Sequence, residues 1–298
     1  MRWQGDVLVS TYSGEPYGDS FYSGVKSALS AEGTIISFTP AFTSHRDPSE
    51  ASSLLSAFPS IDGFFNWWSW PADTDTNLTT ATDLAYQQAI KSSRKGPYIM
   101  SVSPWQSKEL GGYSDWVELS DTLWKYRWEQ AINEVVPDIV EIVTWNDYPE
   151  SHYIADLNPK VNLGDLAPAY VNGFEHGRWR IIAQYYIAWF KTGHAPVVKE
   201  DRVVYWYRAH PKAVTCSGGD RPRNSAHPVD DVFAFALMKE TATIPMDIGS
   251  SHAEFRAGPG VTMGSVPFPV EDSQVPYIQI IKNGRIWIDA CYPELLIL

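Results

Sequence analysis

The sequence predicts an α/β fold: five βα units of a (β/α)8 barrel, followed by a small all-β sandwich. Three observations carry this. Short apolar runs alternate with amphipathic segments over the first 195 residues, the pattern of a parallel sheet with covering helices. Aromatic and polar residues that packing does not require fall at or just past the ends of those runs, the face that carries the active site in a parallel barrel. From residue 196 the texture changes to alternating runs separated by turns, as in a sandwich. The expected division is therefore a (β/α) barrel domain at 1–195 and a sandwich at 196–298.

The first strand is Val7-Leu8-Val9-Ser10-Thr11, ending in the polar aromatic turn Tyr12-Ser13-Gly14-Glu15. Segment 20–31 is helical in pattern, with Phe21, Val25, Ala28 and Leu29 on one face and Gly33 placed to cap it. Thr34-Ile35-Ile36-Ser37-Phe38 is the second strand. Segment 47–58 reads as a helix with Asp47 or Ser49 as its N-cap. Gly63-Phe64-Phe65-Asn66-Trp67-Trp68 is the third strand and runs out into Ser69-Trp70-Pro71-Ala72-Asp73. A helix over 79–92 leads to the fourth strand, Pro97-Tyr98-Ile99-Met100-Ser101-Val102-Ser103, which ends in Pro104-Trp105. In the helix expected over 119–136, Leu123, Trp124, Arg127, Trp128, Ala131 and Ile132 recur at helical spacing, so Trp124 and Trp128 read as core.

The fifth strand, Ile139-Val140-Glu141-Ile142-Val143, stops abruptly at Thr144-Trp145-Asn146-Asp147-Tyr148-Pro149-Glu150-Ser151-His152-Tyr153. Glu141 lies mid-strand, is suited to face a barrel interior and reads as structural. An open doubly wound sheet is the alternative architecture, but it would carry a Gly-rich phosphate-binding first turn, and Ser13-Gly14-Glu15 is not one. After a loop over 155–172, a helix over 174–192 contains Trp179, Ile182, Tyr186, Trp189 and Phe190 and ends at Gly193. Sandwich strands are expected at 203–208, 232–237, 253–257 and 277–281, with 216–224 as a loop. Lys282-Asn283-Gly284-Arg285 forms a hairpin turn that returns through 286–289.

Composition narrows the partners. The formal net charge of −12 repels phosphate backbones and anionic membranes, so no nucleic acid and no membrane is expected and a neutral substrate is favoured. No apolar run approaches the roughly 20 residues of a membrane span, and no secretory signal is visible in this chain. Asn77-Leu78-Thr79 is a glycosylation sequon. Cys216 and Cys291 allow at most one disulfide and have no metal-ligand spacing. Thirteen Trp suggest flat surfaces that stack on rings, besides a Trp-rich core.

Cleaving a glycosidic bond requires a protonated carboxyl on the leaving oxygen and an ionised one that attacks or activates water. Asp147 and Glu150 supply that pair at one strand end. Their three-residue spacing is compatible with either the closer retaining or the wider inverting arrangement. Trp67, Trp68, Trp70, Trp105 and Trp145 offer faces for a sugar, and Tyr148 and Tyr153 wall the pocket. Tyr12, Asn146, Ser151 and His152 can bond hydroxyls, while Glu15 and Asp73 are further acids at other strand ends. By itself Asp-x-x-Glu is more often a solvated turn, and a lone His more often a structural hydrogen-bonder. No Gly-x-Ser-x-Gly, His-Glu-x-x-His or Cys-x-x-Cys pattern occurs, and adjacent Glu175 and His176 are poorly placed to share a metal. No metal site is expected.

The run from Trp145 to Ile154 resembles the Trp-Asn-Asp-Tyr-x-Glu-Ser-His-Tyr signature of glycoside hydrolase family 71, the fungal α-1,3-glucanases or mutanases. Ser10-Thr11-Tyr12-Ser13-Gly14-Glu15, Trp67-Trp68-Ser69-Trp70-Pro71, Ser101-Val102-Ser103-Pro104-Trp105 and Trp124-Lys125-Tyr126-Arg127-Trp128-Glu129-Gln130 are similar to the family pattern in the same order. The resemblance implies a (β/α)8 barrel with a β-sandwich, no cofactor, and endo-hydrolysis of α-1,3-glucan with inversion. It implies an extracellular or cell-wall setting and a full-length monomer. Asp147 and Glu150 match the catalytic pair, with Glu150 expected as general acid and Asp147 as general base. Pro149 stands where the signature usually has Gly. It removes an N–H between the carboxylates. Five βα units where a barrel has eight imply about three missing upstream, so a truncated, inactive carbohydrate-binding protein is the alternative. A structural wall protein using 196–298 for contacts is a third reading.

Overall fold

The computed structural model describes residues 1–298 except 112–114, 215–220, 273, 291–295 and 298. Cys216 and Cys291, and part of the expected 216–224 loop, lie outside the described residues. In chain order the elements are β1 (Arg2–Trp3), β2 (Asp6–Val9), α1 (Gly18–Ala31), β3 (Ile36–Phe38), α2 (Ala51–Ala57), β4 (Phe64–Asn66), α3 (Ala81–Ser93), β5 (Tyr98–Val102), β6 (Ser107–Lys108) and β7 (Trp116–Val117). They continue with α4 (Leu123–Gln130), β8 (Ile139–Ile142), α5 (Pro168–Val171), α6 (Trp179–Thr192), β9 (Arg202–Tyr207) and β10 (Asp231–Met238). The last are β11 (Ala242–Ile248), β12 (Ser251–Ala257), β13 (Gly260–Pro267), β14 (Tyr277–Lys282), β15 (Arg285–Ala290) and β16 (Leu296–Ile297). The chain forms two compact units. One comprises Met1–Pro71, Asn77–Ser103 and Tyr126–Val143; the other comprises Ala72–Thr76, Pro104–Lys125 and Thr144–Leu298.

In the first unit the parallel strands run in chain order. β2 pairs with β3 in parallel, with Val7 opposite Ile36, and β4, β5 and β8 pair in parallel in that sequence. The backbone N–H of Phe65 donates to Pro40 O at 2.9 Å, linking the chain after β3 to β4. All five expected strands are therefore present, with α1, α2, α3 and α4 in the connections. β5 is buried at every position, which is why it reads as an unbroken apolar run rather than an alternating one. Each large side chain buried there contributes about 1.5–3 kcal/mol.

Local chemistry sets the helix ends. Asp47 Oδ1 accepts from Ser49 N at 2.8 Å while Glu50 Oε2 accepts from Asp47 N at 3.2 Å. This reciprocal capping box starts a 3-10 turn that continues into α2. α1 departs from its expected face. Phe21 and Val25 are exposed (49% and 37%), and Tyr22 is the buried residue at 5%. Its hydroxyl donates to Gly14 O at 2.7 Å and its ring stacks on Phe38, 4.6 Å between centroids. Those two contacts turn the helix away from the alternative stripe. Glu141 of β8 is also exposed rather than enclosed. Trp124 and Trp128 are buried, as read from the helical spacing.

An ion pair lies at the centre of this unit. Arg127 and Asp83 are fully buried and joined at 2.7 Å and 3.1 Å. Asp83 Oδ1 also accepts from Asn66 Nδ2 and Tyr98 OH, each at 2.8 Å, and Arg127 Nε donates to Ser101 O at 3.2 Å. Asn66 Oδ1 in turn accepts from Trp68 N at 3.1 Å. The network ties β4, α3, β5 and α4 together where β4 ends.

The second unit contains two four-stranded sheets, β13-β10-β9-β16 and β12-β11-β14-β15. Every pair is antiparallel except β16 with β9. Val232, Ala234 and Ala236 of β10, Ile244 and Met246 of β11, and Ile278 and Ile280 of β14 share one buried core. Gly264 of β13 is needed there, because a Cβ would stand 2.2 Å from the Phe255 ring of β12. α6 begins five residues later than the apolar pattern suggested. The preceding stretch is occupied by His176, whose ring stacks flat on Tyr153 at 3.8 Å. No helix among the described residues is long and apolar enough to cross a membrane.

Candidate active site

The loop after β8 folds back on itself through hydrogen bonds its own sequence supplies. Thr144 N donates to His152 O at 3.0 Å, and Ile154 N and Ala155 N donate to Trp145 O at 3.2 and 2.8 Å. Within this frame Asp147 N donates to Thr144 Oγ1 at 2.9 Å, and Glu150 N donates to Asp147 Oδ1 at 3.2 Å. That Asx-type turn places both carboxylates on one side of the loop. Pro149 fits because its missing N–H is not needed there, and its carbonyl accepts from Tyr170 OH at 2.8 Å. Ser151 takes a positive φ of 61° at the reversal.

The two carboxylates have different surroundings. Glu150 Oε1 accepts from Lys108 Nζ at 2.9 Å, and its Oε2 accepts from Gln106 Nε2 at 2.9 Å. His152 Nε2 lies 3.3 Å from Glu150 Oε2 and 3.7 Å from Asp147 Oδ2. Burial alone would raise the Glu150 carboxyl, but hydrogen bonds and charge from His152 and Lys108 outweigh it and bring it down to about 2. Glu150 is thus held as a carboxylate. Asp147 is more open and contacts His152 and the Glu150 N–H. Oxygens of Asp147 and Glu150 and a His152 nitrogen lie within 4.8 Å of one another. Such a set can hold a cation, but the Lys108 ammonium already supplies positive charge at Glu150, and we assign no metal to it.

The remaining expected site residues fall into distinct settings. Trp145 and Asn146 are exposed beside the pair, Trp145 at 61%. Tyr148 and Tyr153 are buried and packed edge to face at 4.9 Å. Tyr148 OH donates to Asp156 O at 3.0 Å and Tyr153 OH to Phe174 O, so both hold the loop from beneath. Trp105 is buried under the Arg208 guanidinium, 4.5 Å from its ring. Asp73 pairs with Arg223 Nε at 2.9 Å and Asn224 Nδ2 at 2.8 Å.

In the first unit Tyr12 is exposed and meets Trp67 edge-on at 4.6 Å. Trp68 carries Arg46 over its ring at 4.3 Å and donates from Nε1 to Thr43 O at 3.0 Å. Glu15 is bound by Ser44 N and Oγ and by Ser13 Oγ, at 2.8, 3.0 and 3.1 Å. Burial opposes ionisation of Glu15, but those bonds lower its carboxyl overall. Trp70 is buried. The expected platform of five Trp is therefore corrected for Trp70 and Trp105, whose rings are enclosed by their own surroundings. Two functional candidates were missed, Gln106 and Lys108. The available signal was their place just past Trp105 at the end of the fourth strand.

His176 is buried behind the loop with its Nδ1 at 3.2 Å from Tyr153 O. Burial pulls its imidazole from 6.5 down to about 3. Between those values the unfolded chain binds the extra proton, so stability falls as pH drops through this window. Wild-type denaturation midpoints should therefore decline from pH 6.5 to 4.5 with a steeper slope than those of His176→Gln. Equal slopes would remove His176 as the cause.

The family described as glycosyl hydrolase family 71 matches residues 1–287. The glucan endo-1,3-alpha-glucosidase agn1 of Schizosaccharomyces pombe is 32% identical over 306 residues, covering 99% of this chain and 69% of that protein. A mutanase of Penicillium rubens is 31% identical, covering 84% of this chain and 54% of that protein. An endo-alpha-mannosidase structure from Bacteroides thetaiotaomicron aligns with a TM-score of 0.43 at 19% identity, covering 64% of this chain and 56% of that one.

Proposed function

Because the chain belongs to glycosyl hydrolase family 71, we propose that it hydrolyses internal α-1,3-glucosidic linkages of fungal cell-wall glucan, with Asp147 and Glu150 as the working pair. One observation carries this: Glu150 is fixed as a carboxylate by Lys108, Gln106 and His152 while Asp147 stands open beside it. Asp147 donates its proton to the leaving glycosidic oxygen as the C–O bond breaks. Glu150 takes a proton from the water whose oxygen bonds to the anomeric carbon. One water is consumed, and a proton returns from Glu150 to Asp147 through solvent before the next turnover. These roles are the reverse of those expected from sequence, because the groups around Glu150 stabilise its charged form.

The same reading takes 1–195 as (β/α) barrel units and 196–298 as an accessory β-sandwich. Parallel strands in chain order and two antiparallel sheets over one core support it. It takes the protein as acting outside the cell at the wall. Trp145 would stack on a glucose ring and Asn146 bond its hydroxyls.

The resemblance favours inversion. A second reading, retention with Glu150 as nucleophile, is favoured by one distance. One oxygen of each carboxylate lies within 4.8 Å of the other, a closeness that fits direct attack by Glu150 better than a water held between the pair. The test is incubation with α-1,3-glucan, β-1,3-glucan and α-1,4-glucan, with the first-formed anomer read by NMR. Reducing ends from α-1,3-glucan alone are expected. A β-anomer supports inversion and an α-anomer retention, and no release from any glucan overturns the proposal.

A further inference from the structure

Glu150 is gripped by one short stretch of chain, Gln106 and the β6 strand that follows it. Ser107 N donates to Glu150 O at 3.2 Å, Gln106 takes Oε2, and Lys108 takes Oε1. The Lys108 side chain is only 10% exposed. Its Nζ also lies 3.6 Å from the centroid of the Trp116 ring on β7. A lysine normally retains much rotamer freedom, and an ammonium between a carboxylate and an aromatic face loses it.

Trp116 is itself fixed by Arg223. Arg223 lies 5.2 Å from the ring. Val117 N donates to Arg223 O at 2.9 Å, and Arg223 N to Asp115 O at 3.0 Å. Arg223 is neutralised by Asp73 at 2.9 Å. Two cations thus approach one ring, each with its own carboxylate, in the order Glu150, Lys108, Trp116, Arg223, Asp73.

We propose that Lys108 is a positioning residue for glucan hydrolysis, seated on Trp116 beside Arg223 so that it holds the Glu150 carboxylate in place. The inference rests on the two-carboxylate reading of the site. A cation in contact with a carboxylate favours its ionised form. The charged and titratable groups facing Glu150 are Lys108, His152 and Asp147. His152 Nε2 is near both carboxylates, so it distinguishes them weakly; Lys108 contacts Glu150. Lys108 does not need to touch the substrate for this. It acts through Glu150, and Arg223 acts through Trp116. The sandwich thereby supplies a support to the reacting group rather than serving as a passive appendage.

The test compares wild type, Lys108→Met and Lys108→Arg, each checked for folding by circular dichroism. Two readouts are taken: the pH profile of kcat/KM on α-1,3-glucan, and the Glu150 carboxyl titration by carbon NMR of substrate-free protein, assigned with Glu150→Gln. In Lys108→Met both the acid limb and the carboxyl titration should rise by about one pH unit or more. The kcat should fall about tenfold or more with KM little changed. Lys108→Arg should restore both pH positions. An unmoved Glu150 titration in Lys108→Met overturns the proposal whether or not hydrolysis is detected. A moved titration in a chain that cleaves no glucan upholds the hold of Lys108 on Glu150 and overturns the hydrolytic reading instead. If Lys108→Met does not fold, a Lys108→Arg titration displaced upward like that of a neutral variant overturns the proposal, and one at the wild-type position supports it.

Discussion

Glu150→Gln is expected to lower cleavage of α-1,3-glucan by about 10²–10⁴-fold, the usual worth of a positioned acid–base group. The amide keeps the shape of the side chain but cannot take a proton from water, and it leaves Lys108 without its counter-charge. Asp147→Asn should cause a comparable loss on glucan. The two variants separate on a substrate with a leaving group that needs no proton, such as a glycosyl fluoride. Asp147→Asn should recover most of its activity there, and Glu150→Gln should stay inactive until a small external nucleophile such as azide is added. The opposite pattern would exchange the two roles. Wild-type activity should also persist well into acid, because Glu150 remains ionised down to about 2. The sign for stability is the same. Its carboxyl is lowered from 4.5 to about 2 on folding, so its stabilising contribution is complete above 4.5 and disappears as pH falls through the lower value.

Much of this site was legible because its parts are close in sequence. A strand-to-loop boundary, two acids three residues apart and an adjacent imidazole share one ten-residue segment, so their meeting follows from local chain geometry. The five parallel strands were legible for a similar reason: each is a short apolar run with an obvious polar end. Lys108 and Gln106 were not legible, since they reach Glu150 across 42 and 44 residues. A lysine after a strand has no local signature that points to one particular carboxylate. Burial was also hidden. Trp67 and Trp70 stand three residues apart with similar sequence surroundings, yet only Trp70 is fully enclosed. Tyr148 reads as a pocket wall in sequence and proves to be a support whose hydroxyl bonds Asp156 O at 3.0 Å. The rotation of α1 goes with the Tyr22 hydrogen bond to Gly14 O and its stacking on Phe38, which periodicity does not contain.

The largest stability effect should come from the buried pair of Asp83 and Arg127 in the first unit. Arg127→Met leaves Asp83 as an unpaired charge accepting from Asn66 and Tyr98 in a site closed to water. Removing one partner of such a pair costs about 3–5 kcal/mol, a large share of the roughly 5–15 kcal/mol that holds a typical domain together. Asp83→Leu should cost a similar amount, because it strands the guanidinium. The double variant is the informative one. With both charges gone, the cost of desolvating them is gone as well, so Asp83→Leu with Arg127→Met should be clearly more stable than the sum of the single changes predicts. Denaturant midpoints of the four proteins measure this directly. Additive losses would mean the pair contributes only packing. The pair also reaches the end of β4 through Asn66, which bonds Asp83 on one side and the backbone N–H of Trp68 on the other. A lesion at Asp83 therefore frees the first residues beyond β4.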